Sequence, residues 1–270
     1  DDGKVPDDDK LRAIEIFSDL AAIAIQNAEL YDELDKDRKK IELLIDLIGH
    51  DVNNYVQAVS GFLELAMARK GVPEPSRKSM AKAHDQVLNL NRLVSNVKLY
   101  AKVESVGDRD LRAMDLVRAI MEAFENAETQ SPGRQVKLRF EDDGKPKLAV
   151  MNDLAKEVFF NLFTNAIKFD THEKVVIDVD ISAACEDRRD MWCVSVSDRG
   201  QGIEDELKAE VFDRFKQGSR SSLGSGLGLH IAKTLVGYYK GRVWVEDRIP
   251  GDRTQGSVFK VMLPKDKAQA

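Results

Sequence analysis

The chain has 270 residues, which at about 100–200 residues per domain predicts two domains or one large one. An apolar fraction of 43% excludes wholesale disorder, and 33% charged residues with only 7% aromatics predict exposed helices. Lys and Arg total 41 against 47 Asp and Glu, a net charge of −6. Nucleic acid is therefore not expected as a partner, because no basic excess is available to neutralise phosphates along a polyanion.

The longest mostly apolar run, Leu20 to Ala28, is too short and mixed for a membrane span, which needs about 20 residues. No membrane contact is expected within this stretch. The opening acids do not read as a signal peptide, and a start at Asp1 reads as a fragment. Cys185 and Cys193 have no metal-site spacing and imply no disulfide framework, so a cytoplasmic, reducing setting is expected.

In chain order, the first third reads as helix. Ile14, Phe17, Ala21, Ala24, Ala28 and Tyr31 step by three and four. The charged stretch Asp35–Lys40 interrupts this stripe, which resumes at Ile41, Ile45, Ile48, Val52, Val56 and Val59. One very long helix, or two end to end, is expected to about Met67. GVPEPS at 71–76 is a turn by composition, with Ser76 a candidate N-cap. A second amphipathic helix follows, with Met80, Ala83, Val87, Leu90, Val94, Val97 and Ala101 on its apolar face. Each helix of this hairpin carries one apolar stripe, so a second copy is expected to bury it.

Beyond 106–110 strand-like runs alternate with helical ones. Strands are expected near Val136–Phe140, Leu148–Met151, Val175–Ile181, Trp192–Asp198, Arg242–Glu246 and Ser257–Leu263. Helices are expected near Leu116–Glu128, Asp153–Phe169 and Leu227–Tyr239. This order is not a repeated βαβ unit, so a Rossmann sheet is not favoured.

Four elements carry candidate chemistry. His50 falls about 180° from the stripe that Ile41 begins, facing solvent. Asp51 beside it can accept from the ring Nδ1–H and leave Nε2 the better nucleophile. Asn54 is one turn further along the same face. In NLFTNAIKF (161–169), Asn161, Asn165 and Lys168 share one helix face. Amide oxygens there can coordinate Mg²⁺ and the lysine can meet phosphate. In DRGQG (198–202), the Asp198 carboxylate can accept from the exocyclic amine of adenine, where guanine offers an acceptor instead. In GSGLGL (224–229), spaced glycines open a helix, which fits phosphate binding by backbone N–H groups, although the pattern is not a P-loop.

Together and in this order, these elements resemble the catalytic core of a sensor histidine kinase. HDVNNY (50–55) is similar to the family's H box and NLFTNAIKF (161–169) to its N box. DRGQG and GSGLGL are similar to its two glycine boxes, and Phe212 and Phe215 in VFDRFKQG to its F box. GSVFKVMLP (256–264) resembles the family's last strand, and residues 15–34 resemble, more weakly, the last helix of a GAF sensor domain.

The resemblance implies an α + α/β architecture: a helical hairpin forming a dimeric four-helix bundle, then a two-layer α/β sandwich that binds ATP. Residues 1–37 would be a signalling helix, 38–106 the dimerisation and phosphoacceptor hairpin, and 107–266 the ATP-binding domain. His50 would take the γ-phosphoryl group of ATP and pass it to an aspartate of a response-regulator receiver domain. Asp51 would activate His50, and Asn54 would serve a phosphatase reaction. Asn161 would ligate Mg²⁺, with Asn165 and Lys168 at the phosphates or metal and Glu157 assisting nearby. Asp198 would meet the adenine amine, with Gly200 and Gly202 on the base and ribose side. Phe212 and Phe215 would border the nucleotide, and Gly224, Gly226, Gly228 and Leu229 would form the mobile lid.

Two positions depart from the family's pattern. Tyr55 stands where a proline is usual, which predicts a straighter helix. Gln217 stands where arginine is frequent, leaving Lys216 or Arg220 to meet phosphate from the lid. A gyrase-type ATPase would share the last three motifs but not a histidine on a dimeric hairpin. A degenerate phosphotransfer scaffold is disfavoured by the presence of Asn161, Asp198 and all three lid glycines.

Overall fold

A computed structural model describes residues 8–105, 110–213 and 226–266. The chain divides into two compact units, Asp1–Asp51 and Val52–Ala270, and the division falls within the first helix. That helix, α1 (Asp8–Ala68), is one uninterrupted run of 61 residues. The charged stretch does not break it, because its charges pair along the helix. Lys36 meets Asp32 at 2.7 Å and Lys39 meets Asp35 at 2.6 Å, each with the acid one turn N-terminal, the favourable order. No described helix is long and apolar enough to cross a membrane.

Past the end of α1, Gly71 takes a left-handed φ of 85°, which lets the chain turn after the helix. α2 (Glu74–Ser105) begins two residues before the expected cap. The Pro73 carbonyl accepts the first helical bond from Arg77 N at 3.0 Å, so Ser76 lies inside the helix and not at its cap. Within the second unit, His84 Nε2 on α2 lies 2.8 Å from Ser60 Oγ and 3.2 Å from Glu64 Oε1, tying α2 to the end of α1.

The sandwich follows as β1 (Arg112–Asp115), α3 (Leu116–Thr129), β2 (Gln135–Phe140), β3 (Leu148–Met151) and α4 (Ala155–Phe169). Then come β4 (Lys174–Glu186), β5 (Arg189–Ser197), α5 (Asp205–Lys208), α6 (Gly228–Tyr238), β6 (Arg242–Ile249) and β7 (Asp252–Pro264). One sheet runs β2-β4-β5-β7-β6, parallel between β2 and β4 and antiparallel elsewhere; β1 and β3 form a separate antiparallel pair. The α + α/β class read from the sequence is therefore the observed one.

Alternation along the strands builds the core. Val179, Val196, Phe259 and Val245 lie opposite one another across four strands, and Ile181, Val194, Val261 and Val243 make the next inward row. Against these rows lie the apolar faces of α3 (Leu116, Ile120, Ala123, Phe124), α4 (Val158, Phe159, Leu162, Phe163) and α6 (Ile231, Leu235). Phe124 and Phe163 meet edge to face at 5.5 Å, a favoured aromatic geometry. The end of α2 joins this core through Val103, with Leu93, Leu99 and Tyr100 packed beside it.

Two polar devices fix helices of the sandwich. Asp115 caps α3 by accepting from Val117 N at 3.0 Å. Asn152 Oδ1 accepts from Leu154 N at 3.0 Å, at the start of α4, and from the buried Tyr239 hydroxyl at 2.6 Å. The start of α4 is thereby pinned to the residue that ends α6.

Candidate nucleotide-binding site

A cavity of about 790 Å³ opens in the second unit, between α4, the loop after β5, the start of α6 and α2. That volume lies within the range of ligand pockets, about 300–1,000 Å³. Of the residues expected at the nucleotide, Asn161, Asn165, Lys168, Asp198, Gly202, Gly226, Gly228 and Leu229 line it, while Gly200 and Phe212 are not among its lining residues.

Asn161 is buried, and its Nδ2 donates to the Glu157 carbonyl at 2.8 Å. This bond fixes the amide so that Oδ1 lies against Gly228. A Cβ at residue 228 would sit 2.5 Å from that oxygen, so only glycine leaves it room. Asn165 and Lys168 are half-buried on the same face of α4. Burial holds the Lys168 ammonium below its ordinary pKa, and the Arg92 charge adds to the effect. The Glu157 carboxyl is raised, again chiefly by burial, against the pull of Lys156 and Lys102.

Asp198 follows β5 and is buried. Among the described residues, the hydrogen bonds to its carboxylate all reach Oδ1, from Gly200 N at 2.8 Å and Ser257 N at 3.2 Å. Among the described residues the other oxygen accepts no hydrogen bond. Burial pushes this carboxyl above its ordinary pKa, and the two backbone donors oppose the shift without cancelling it. The glycines around it are steric requirements. Gly202 has φ of 71°, and a Cβ there would lie 1.7 Å from the Arg253 carbonyl oxygen. A Cβ at Gly200 would press on the Phe169 carbonyl at 3.0 Å.

Phe212 is buried edge to face against Phe259 at 6.2 Å, and its carbonyl lies 3.1 Å from His230 Nδ1. Phe215, Lys216, Gln217, Arg220 and Gly224 lie outside the described residues.

The first unit carries the histidine. His50 is exposed on α1, with Nδ1 3.2 Å from Asp51 Oδ1. The carboxylate can only accept, so this contact is a hydrogen bond when Nδ1 carries a proton. Asn54, one turn further along α1, is exposed.

The cavity has a wall that motif reading missed. Asn89, Arg92 and Asn96 of α2 line it. Their spacing of three and four was visible in the sequence, but a polar line on an amphipathic helix ordinarily means a solvated face.

The sandwich holds its cavity beside α4. Residues 150–267 match the family described as Histidine kinase-, DNA gyrase B-, and HSP90-like ATPase, and this domain is of that class. Over a longer stretch the chain is similar to sensor histidine kinases, which bears out the resemblance read from its boxes. The virulence sensor protein BvgS of Bordetella bronchiseptica is 31% identical over 83% of this chain and 18% of its own length. The sensor histidine kinase TmoS of Ectopseudomonas mendocina is 28% identical over 90% of this chain and 25% of its own. The chain thus spans about a fifth to a quarter of these relatives. Its fold resembles that of full-length ShkA, solved in complex with AMPPNP, with 21% identity, a TM-score of 0.55, and coverage of 82% of this chain and 45% of that one.

Proposed function

We propose that the chain is the catalytic core of a sensor histidine kinase, phosphorylating His50 from ATP and passing the group to an aspartate on a receiver domain. The observation that carries this is one chain holding both an exposed imidazole with Nδ1 on Asp51 and a cavity lined by Asn161, Lys168 and Asp198. The hairpin (38–106) and ATP-binding (107–266) boundaries, and a preceding signalling helix (1–37), are part of the same proposal.

In the reaction, His50 Nε2 attacks the γ-phosphorus and the bond to the β–γ bridging oxygen breaks, leaving phosphohistidine and ADP. Asp51 retains the Nδ1 proton's hydrogen bond and stabilises the cationic ring as it forms. Asp198 accepts from the adenine amine through the oxygen that the backbone does not use. Asn165 and Lys168 meet the phosphates, and Gly226, Gly228 and Leu229 border them. Mg²⁺ would neutralise phosphate charge. The Asn161 carbonyl oxygen suits a hard cation, because its amide nitrogen is already held by Glu157. Asn54, on the helix of His50, is proposed to orient water for hydrolysis of the receiver's aspartyl phosphate.

Incubation with γ-phosphate-labelled ATP and Mg²⁺ tests the reading. Acid-labile, base-stable label on the protein, lost in His50→Gln, is the expected result. Label that persists in His50→Gln overturns the acceptor, and phosphate release with no labelled protein would mean an ATPase. Asp51→Asn should slow labelling by roughly 10²–10⁴-fold, the usual worth of an acid–base group. Asn54→Ala should label within a few-fold of wild type yet lose most of the phosphatase activity.

A further inference from the structure

We propose that Arg92 of α2 is a second phosphate-binding cation of the nucleotide pocket, so that a nucleoside di- or triphosphate is held between α4 and α2. The inference rests on the reading of the cavity as an ATP site and goes beyond it, because it gives α2 a direct share in binding.

α2 has two functional faces in the second unit. Leu93, Leu99, Tyr100 and Val103 pack on the sandwich, with the Tyr100 ring stacked on His230 of α6 at 6.0 Å. This contact holds the helix beside the cavity. Asn89, Arg92 and Asn96 then line the wall, while Asn161, Asn165 and Lys168 of α4 line the same cavity. Two amides and a cation are thus presented by each helix.

Charge gives the arrangement its meaning. Arg92 and Lys168 line the same cavity, and the Arg92 charge adds to burial in holding the Lys168 ammonium below its ordinary pKa. Two cations held together disfavour each other unless an anion lies between them. Among the described residues, no acid lining the cavity takes that place. Glu204 is paired with Arg253 at 3.3 Å, and Asp198 accepts from Gly200 and Ser257. Among the described residues neither Arg92 nor Lys168 has an ion pair. A polyphosphate satisfies both, and the planar guanidinium can meet it through two parallel N–H donors.

Calorimetric titration of the whole chain with ATP, ADP and adenosine tests this. Arg92→Ala should weaken ATP and ADP by about ten-fold or more, the range of a lost charge-assisted contact. It should leave adenosine unchanged. Arg92→Lys should fall between, and the difference from wild type should shrink as salt is raised. ATP binding unchanged in Arg92→Ala overturns the proposal. Equal loss of adenosine and ATP also overturns it, since it would make Arg92 a structural support. Wild-type chain that binds none of the three would instead overturn the ATP-site reading beneath it. Unfolding midpoints of each variant separate lost binding from lost fold.

Discussion

At the scale of single residues, the site depends on what each side chain already does in the fold. Asp198 shows this best. Its Oδ1 is occupied by two backbone donors, so an asparagine can keep both with its own oxygen and would present NH₂ where the second carboxylate oxygen stood. In the proposed binding mode that donor would face the adenine amine, another donor. Asp198→Asn should therefore weaken ATP binding by about 10- to 150-fold, the worth of a hydrogen bond to a charged group. Stability should move the other way. The folded-state pKa of Asp198 is raised, so wild-type stability from this group is greatest below its unfolded pKa and falls as pH rises through the folded one. The variant should thus be the more stable at pH 7, with its advantage vanishing as pH falls through the carboxylate range. Denaturant melts at pH 7 and pH 4 check the sign. The glycines separate in the same way. Gly202→Ala places a Cβ against backbone at a left-handed φ and should destabilise by roughly 3 kcal/mol or more. Gly228→Ala meets only the end of the Asn161 side chain, so the fold should survive while phosphoryl transfer is lost.

At the scale of elements, what could be read from sequence depended on whether the signal was local. The helices at 116–129, 155–169 and 228–238 and the strands at 135–140 and 148–151 follow from periodicity and stand within a few residues of expectation. β1 had no such signal. It has four residues, alternates weakly, and exists through pairing with β3, a contact that sequence spacing does not announce. The β4–β5 hairpin runs further than expected because its turn, Asp187-Arg188, lacks the glycine that usually marks one. Asp187 and Arg188 both take positive φ, 49° and 63°, the pattern of a type I′ turn ordinarily made by Asn-Gly. Arg188 is held there at a steric cost that glycine would not bear. Arg188→Gly should therefore stabilise the sandwich by about 1 kcal/mol, read as a higher thermal midpoint with ATP affinity unchanged. That residues of α4 and the loop after β5 line one cavity was legible because each lies in a tight, chemically distinctive box. Arg92 was not, since its meaning comes from a cavity wall that only the packing of α2 against α6 creates.

At the scale of the whole molecule, the single chain leaves apolar surface that water should not keep. Ile41, Leu44 and Ile48 of α1 are each more than half exposed, along with Phe17, Leu20 and Ile23 earlier in the helix. Contiguous apolar patches of this kind on soluble proteins mark association surfaces. Sequence reading expected one stripe per helix. Leu43 and Leu47 add exposed apolar groups on the His50 side, where a receiver domain is proposed to dock. A second copy is the simplest cover for the Ile41–Ile48 face, because an identical stripe can meet it about a two-fold axis. Sedimentation equilibrium should then give about twice the 30.3 kDa chain mass at micromolar concentration. Replacing Ile41 and Ile48 together by Asp should shift the chain to monomer, since buried unpaired carboxylates would oppose the interface. Nucleotide binding should persist in that variant, because every residue lining the cavity lies in the second unit. A wild-type monomer at micromolar concentration would count against the four-helix bundle and leave the exposed stripe to a partner of another kind. Loss of ATP binding on monomerisation would mean that the second copy contributes to the pocket as well as covering the helix.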